Sequence, residues 1–175
     1  MILVGEWNVP VIFKNTGRRL TTFSSNLTEW SGFWNTVECV DLNNDGKKDL
    51  ILGNKGTNTS YKATKEKPMK LFINDYDNNG TIEQITTQTI DGKDVPLHLK
   101  QELAKQIPMI KKKNLSYTDY SKKTFQELFD TEVINNSVQK TAKMQESCIA
   151  INKGNGKFEI QVLPKEVQFS SVNAI

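Results

Sequence analysis

Two nine-residue segments of this chain carry the same pattern of oxygen-bearing side chains, and no other feature constrains the fold as strongly. Each segment has Asp, Asn or Glu at positions 1, 3, 5 and 9, and glycine at position 6. Loop 1 spans residues 41–49 and loop 2 spans residues 75–83. The patterned residues are Asp41, Asn43, Asp45, Gly46 and Asp49 in loop 1, and Asp75, Asp77, Asn79, Gly80 and Glu83 in loop 2. This spacing predicts short loops wrapped around a hard cation, with glycine at the sharp turn.

The donor types predict calcium (Ca²⁺) at both loops, because calcium takes six to eight oxygen ligands in irregular geometry. The carbonyls of Lys47 and Thr81 at position 7 are expected to add to the four side chains of each loop, with water or bidentate carboxylates completing each shell. Grouped carboxylates repel one another unless a cation neutralises them. The alternative is a pair of Asx-rich turns without an ion. Two copies in one register favour two calcium sites.

The flanks of both loops predict β-strands rather than helices. Residues 36–40 and 50–53 enclose loop 1, and residues 69–73 and 82–89 enclose loop 2, with β-branched and aromatic residues throughout. An EF-hand requires flanking helices and an acid at position 12. Position 12 is Leu52 in the first loop and Thr86 in the second. We therefore expect each loop to join two strands of a hairpin.

Four segments resemble the FG-GAP or VCBS repeat of integrin-α-like β-propellers, and the chain is similar to large bacterial VCBS-repeat proteins related to cartilage acidic protein. These segments are DLNNDGKKDLILGN at 41–54, LFIND at 71–75 with its loop, CIAINKGNGKF at 148–158, and a hairpin-like stretch at 4–17. The resemblance covers most of residues 1–92 and 144–175. It implies a calcium-stabilised propeller, secreted or on the cell surface, that serves adhesion or ligand binding without catalysis.

The predicted fold is mainly β, a β-propeller fragment of about two to three antiparallel blades with a short-helix insertion, where a closed propeller has about four to eight blades. We expect the neighbouring blades of a longer parent protein to be its partners. The predicted segments are a blade-end hairpin at 1–33, a repeat with both cation loops at 34–94, a helical insertion at 95–136, and a further blade hairpin with the start of the next repeat at 137–175.

The helical insertion is predicted from periodicity and from capping boxes. Leu99, Leu103, Ile107 and Ile110 follow helical spacing, and Pro108 is expected to break that helix. Two further helices should start at residues 117 and 125, because the segments 116–119 and 124–127 have capping-box patterns.

Lysines at 111–113 and 122–123 make the insertion basic, with Tyr117 and Tyr120 nearby. Such a surface suits an acidic polysaccharide or a phosphate-bearing partner, although lysine runs more often form a solvated face. Nucleic acid is disfavoured, because the net charge is only +3, the chain has two arginines, and it contains no nucleic-acid-binding motif.

The sequence offers little support for catalysis. Its single histidine, His98, begins the insertion, where a surface or capping role is expected, and no GxSxG or phosphate-binding glycine loop occurs. We therefore expect a ligand protein or glycan to bind a non-enzymatic propeller. The alternatives are an accessory propeller of a polysaccharide-processing enzyme and a purely structural repeat.

The remaining expectations concern aromatic residues, cysteines and location. Trp7 and Trp34 are expected to pack between strands, while Trp30 could do so or stack on a sugar. Cys39 and Cys148 are expected to be small buried residues rather than a disulfide. Calcium sites of this class suit millimolar calcium, so the predicted location is extracellular or on the cell surface, outer membrane-attached or periplasmic in a bacterium. No transmembrane span or signal peptide is evident.

Overall fold

The structure is a computed structural model that describes residues 1–175, and it is mainly β, as the sequence predicts. Its thirteen strands form four sheets in which all strand pairs are antiparallel, and no sheet closes into a barrel. The strands are β1 (Ile2–Leu3), β2 (Glu6–Asn8), β3 (Val11–Asn15), β4 (Leu20–Phe23), β5 (Gly32–Phe33), β6 (Thr36–Val40), β7 (Asp49–Gly53), β8 (Met69–Asn74), β9 (Glu83–Ile90), β10 (Lys93–Pro96), β11 (Val138–Ala142), β12 (Cys148–Asn152) and β13 (Phe158–Val162).

Five α-helices, each of seven residues or fewer, accompany two 3-10 helices. The α-helices are α1 (Lys100–Gln106), α2 (Met109–Lys113), α3 (Tyr117–Ser121), α4 (Phe125–Leu128) and α5 (Thr131–Asn135), and the 3-10 helices are Asn26–Glu29 and Lys165–Phe169. No helix combines the length and the apolar character that crossing a bilayer requires.

The chain forms two compact units. The first unit contains residues 1–66 and 141–175, and the second contains residues 67–140. Loop 1 therefore lies in the first unit and loop 2 in the second. The segment 95–136, predicted as a helical insertion, lies in the second unit together with β8 and β9.

The main sheet of the first unit has the strand order β6-β7-β12-β13, in which every neighbouring pair is antiparallel and β7 pairs with the distant strand β12. The strands predicted around loop 1 are confirmed as β6 and β7, and the hairpin predicted at 148–158 is confirmed as β12 and β13. Leu50, Leu52, Cys148 and Ala150 are buried in this sheet and belong to one core with Trp34. This core holds both ends of loop 1 in place.

The hairpin predicted at residues 4–17 is wrong. β2 pairs with β5, whereas β3 pairs with β1 on one side and forms its hairpin with β4 on the other. The turn of that hairpin contains Gly17 at a φ of 86°, and the Gly17 N–H donates to the Asn15 side chain. The Asn15 side chain and the left-handed backbone of Gly17 therefore place the reversal after residue 15.

The second unit packs helices against a sheet of order β10-β9-β8-β11. The strands predicted around loop 2 are confirmed as β8 and β9. Phe72 from β8 stacks on Phe125 from α4 with ring centroids 4.1 Å apart. The buried core also includes Tyr76, Ile85, Leu103, Ile107, Ile110, Tyr120, Leu128 and Phe129.

The predicted helix boundaries in the second unit are largely confirmed. Pro108 separates α1 from α2, and α3 and α4 begin at residues 117 and 125. The Ser116 hydroxyl accepts the Asp119 N–H at 2.9 Å, while Glu127 reaches back to the Thr124 N–H at 2.7 Å. The prediction that Leu99 lies on the apolar face is wrong, because Leu99 precedes the first turn of α1 and is 67% exposed.

The expectation for the cysteines holds for only one of them. Cys148 is buried in β12, and burial raises the pKa of its thiol to about 12. Cys39 is exposed because β6 is the edge strand of its sheet, so the prediction that it is buried is wrong. Both cysteines are free.

The tryptophans of the first unit pack as expected for strand contacts. Trp34 is fully buried, and Trp7 meets Phe33 edge to face with centroids 4.8 Å apart. Trp30 is half-buried against the same core as Trp34, and its carbonyl accepts the Trp34 indole N–H at 3.0 Å. This contact favours packing for Trp30, the residue that the sequence left open.

Candidate metal centre

Loops 1 and 2 have the same hydrogen-bonded skeleton although they lie in different units. The carboxylate at position 1 accepts the backbone N–H groups of positions 5 and 6 in both loops. Asp41 takes those of Asp45 and Gly46 at 3.2 and 2.9 Å. Asp75 takes those of Asn79 and Gly80 at 3.1 and 2.8 Å. The first acid of each pattern therefore shapes the loop from inside.

The acids at position 9 close both loops from the following strand. Asp49 accepts the Leu42 N–H at 3.0 Å, and Glu83 accepts the Tyr76 N–H at 3.0 Å. Both carboxylates are buried. A buried carboxylate that receives backbone donors is held in one orientation, which is the property that a metal ligand requires.

Each loop has two residues with left-handed backbone conformation, and the sequence predicts only the glycine. Gly46 and Gly80 at position 6 have φ angles of 81° and 84°, as expected of their sharp turns. Asn44 and Asn78 at position 4 have φ angles of 58° and 63°. Asparagine tolerates this conformation better than other residues with a side chain. The asparagine at position 4 of both loops is therefore a sequence signal for this left-handed turn, and the predicted ligand pattern does not include it.

Loop 2 brings three carboxylates together. Ligand oxygens of Asp75, Asp77 and Glu83 all lie within 4.8 Å of one another. The Oδ1 atom of Asp77 is buried and has no hydrogen-bond partner. A buried carboxylate oxygen without a partner costs free energy unless a cation or another donor meets it. The donor set at loop 2 is therefore suited to a hard divalent ion.

Loop 1 differs from loop 2 at position 3, where loop 2 has Asp77. Its position 3 is Asn43, whose Oδ1 atom accepts the Asp45 N–H at 3.0 Å. The ammonium of Lys47 lies 3.0 Å from Asp45 Oδ2, and this bond lowers the pKa of the Asp45 carboxyl. The loop 1 acids do not form a group of three carboxylates as close as that in loop 2. A lysine thus supplies part of the positive charge that loop 1 needs.

The predicted ligands at position 5 of each loop also accept backbone N–H groups from their own loop. The side chains of Asp45 and Asn79 at position 5 accept the N–H groups of Lys47 and Thr81 at 2.9 and 2.7 Å. The backbone N–H of Gly80 lowers the pKa of the Asp75 carboxyl, which favours its ionised form. An ionised carboxylate is the form that binds a cation.

Asp49 also connects loop 1 to the adjacent hairpin, a role that sequence spacing cannot reveal. Its Oδ1 atom accepts the Asn152 N–H at 2.8 Å, while the Asn152 side chain donates to the Lys48 carbonyl at 2.9 Å. Asn152 ends β12, so these bonds tie loop 1 to a strand about one hundred residues away. The buried carboxylate is therefore a structural residue as well as a candidate ligand.

We expect Asp49→Asn to lower the free energy of unfolding by about 2 kcal/mol, even in a calcium chelator, because one of two charge-assisted bonds is lost in a buried position. Urea unfolding of both proteins with excess EGTA measures this loss. Asp41→Asn is the matched control, because Asp41 also accepts two backbone N–H groups but is only half-buried, and its expected effect in chelator is smaller. Equal stability of Asp49→Asn and the unsubstituted chain would contradict the structural role.

His98 has a structural position rather than a place among the carboxylates. Its Nε2 atom accepts the Thr86 N–H at 3.2 Å, and burial lowers the pKa of its imidazole. The neutral ring therefore serves as a hydrogen-bond acceptor at the start of the helical segment.

Comparisons of the chain with protein-family models, curated proteins and solved structures found no match.

Proposed function

We propose that this chain is a calcium-binding segment of a propeller-type protein and that loop 2 is its principal metal site. The observation that carries the proposal is the buried Asp77 Oδ1 atom, which has no hydrogen-bond partner and lies in a cluster with Asp75 and Glu83. Calcium supplies the charge that three close carboxylates need, and it accepts irregular oxygen geometry. Asn79 and the Thr81 carbonyl complete the proposed ligand set.

Loop 1 is proposed as a second and weaker calcium site. It shares the hydrogen-bonded skeleton of loop 2, which supports the same function for both loops. Its proposed ligands are Asp41, Asn43, Asp45, the Lys47 carbonyl and Asp49. Calcium must displace the Lys47 ammonium from Asp45, and that competition lowers the affinity.

The propeller part of the proposal is supported by the sheet β6-β7-β12-β13. Its four strands pair in chain order with loop 1 between the first two, which is the arrangement expected of a blade in FG-GAP or VCBS repeats. Four to eight such blades close a propeller. We therefore propose that further blades, in the same parent protein, complete the ring.

The proposed location and role follow from the metal sites. Calcium modules of extracellular proteins bind with dissociation constants of roughly 10⁻⁴ to 10⁻³ M, which suits a secreted or cell-surface protein. Calcium would hold the loop ends of the hairpins, and the second unit would offer its surface to a protein or glycan ligand. Adhesion or ligand binding, rather than catalysis, is the proposed activity.

Calorimetric titration with calcium tests the number and order of the sites. We expect two binding events per chain, the tighter one lost in Asp77→Ala and the weaker one lost in Asp45→Ala. Lys47→Gln should tighten the weaker event severalfold, because it removes the competing ammonium while retaining the backbone carbonyl. Lys48→Gln, which removes a neighbouring exposed charge, is the matched control.

Magnesium provides the selectivity control for the same titration. It demands near-octahedral geometry and releases water reluctantly, so we expect much weaker binding than for calcium. A chain that binds neither ion in millimolar solution, or that binds with unchanged affinity in Asp77→Ala, would refute the proposed metal site.

A further inference from the structure

A groove in the second unit gathers positive charge and apolar surface without any acidic side chain. It lies along α1 and the segment that joins α2 to α3, and it encloses about 510 Å³. We name it the basic groove, and its lining residues are Lys100, Gln101, Ala104, Lys105, Lys111, Leu115 and Tyr117. Its volume lies within the range of small-ligand sites, roughly 300 to 1,000 Å³.

Helical geometry explains why α1 contributes a polar face to this groove. Leu103 of α1 and Ile107 at its end are completely buried in the core of the second unit. Residues 100, 101, 104 and 105 are spaced so that they share the other side of the helix. The basic groove is therefore built on a helix that the hydrophobic core already holds.

Lys100 differs from the other lysines of the groove because it is buried. Only 8% of its surface is exposed, and its ammonium donates to the Leu115 carbonyl at 3.1 Å. The same ammonium lies 5.0 Å from the centre of the Tyr117 ring. It has no ion-pair partner, and neither have Lys105 and Lys111. An ammonium has three donors, so two donors of this nearly buried charge remain for a ligand.

The chemistry of the lining selects the ligand class. Three lysines without a facing carboxylate favour an anion, and the exposed Tyr117 ring with Leu115 and Ala104 offers an apolar surface beside them. Sugar rings present an apolar face to aromatic side chains, and acidic sugars carry their charge next to that face. The groove contains no arginine, so its lysines meet an anion as point charges and not through a bidentate pair.

We propose that the basic groove binds an acidic saccharide, in which a carboxylate or sulfate meets the three lysines and a sugar ring rests on Tyr117. This inference deepens the ligand-binding part of the proposed function by naming its site and ligand class. The groove shares no residue with either calcium loop. Saccharide binding and calcium binding are therefore separable by experiment.

Isothermal titration with tetragalacturonate and with a sulfated tetrasaccharide tests the proposal on the full chain. We expect at least one of the two to bind, and the double variant Lys105→Gln/Lys111→Gln to weaken that binding by about tenfold or more. The matched control is Lys112→Gln/Lys122→Gln, which removes the same charge from exposed positions outside the groove. Its affinity should change by less than about twofold, as for rim charges.

Tyrosine variants test the sugar contact separately from charge. Tyr117→Leu should weaken the bound saccharide about fivefold by removing the ring, and Tyr117→Phe should retain the affinity. Circular dichroism of all variants checks that they fold, which is expected because the three substituted groove residues are exposed. Cellotetraose, a neutral sugar, should bind much more weakly than the acidic saccharides.

Three outcomes would overturn the proposal. They are no binding of either acidic saccharide, equal weakening by the groove pair and the control pair, and tighter binding of an oligothymidylate than of either saccharide. Calcium titration of the same samples distinguishes this failure from failure of the metal proposal. Saccharide binding without calcium binding would support the groove and refute the metal sites.

Discussion

Asp77→Ala is expected to weaken calcium binding at loop 2 by about 100-fold or more, because ligand charge count sets the affinity of oxygen-ligand calcium sites over several orders of magnitude. The substitution removes the one buried carboxylate oxygen of the loop that lacks a hydrogen-bond partner. No protein hydrogen bond to that atom is lost. The direct measurement is the loss of the tighter event in a calcium titration.

The same variant should separate the metal role from a role in turn formation. In 1 mM calcium the melting temperature should fall, because a site with a dissociation constant of about 10⁻⁴ M stabilises the folded protein by about 1.4 kcal/mol at that concentration. In excess EGTA the variant and the unsubstituted chain should melt within a few degrees of each other. An equal loss in both solutions would mean that Asp77 acts through the backbone of the loop alone.

Two variants calibrate this result. Asp77→Asn reproduces the residue type that loop 1 has at position 3, Asn43, and should show an intermediate loss of affinity. Asp130→Ala removes an exposed acid from the same unit, and its side chain makes no cap hydrogen bond. We expect it to leave calcium affinity unchanged. A loss for Asp130→Ala as large as that for Asp77→Ala would indicate a general charge effect.

Phe125→Ala is expected to have the largest effect on stability, a loss of about 3 to 5 kcal/mol, as for other fully buried phenylalanines. Phe125 has no exposed surface, and its ring contacts those of Phe72, Tyr76 and Phe129 with centroids 4.1, 6.0 and 5.2 Å away. Removing the ring leaves a cavity in the centre of the second unit. Urea unfolding monitored by circular dichroism measures the loss.

Phe125→Ala should also weaken calcium binding, although residue 125 is not a ligand. Tyr76 follows Asp75 in loop 2, and its ring packs in the core that Phe125 fills. A loosened core therefore permits more conformations of loop 2, and calcium must order them at a cost in affinity. Leu115→Ala, which truncates an apolar side chain that is 89% exposed, is the control with little expected effect on either measurement. Unchanged stability of Phe125→Ala would contradict the packing described for this unit.

Local features of the chain were predictable from sequence because short-range hydrogen bonds specify them. Loop 1 and loop 2 each span nine residues, and their internal bonds join residues at most seven apart. The caps at Ser116 and Thr124 depend on residues three positions away. Strands on both sides of each loop followed from residue type. In these cases the whole set of interacting groups lies within one short stretch of sequence.

Long-range features were not predictable in the same way. Even within the loops, spacing equates loop 1 with loop 2, yet only the structure shows that the Lys47 ammonium contacts Asp45 while Asp77 Oδ1 has no hydrogen-bond partner. The Asp49 bond to Asn152 joins positions 103 residues apart. Lysine runs drew attention to residues 111–113, whereas burial in the groove distinguishes Lys100, which no run contains.

Residue patterns alone predict the two acidic loops, the strands that enclose them, the break at Pro108 and the starts of α3 and α4. Four features depend on the packing of distant segments: β7 pairs with β12, loops 1 and 2 belong to different units, Cys39 is exposed, and β3 turns back into β4. The physical reason is range. Backbone capping and turn preferences act over a few residues, whereas strand pairing and burial depend on which distant segments pack together.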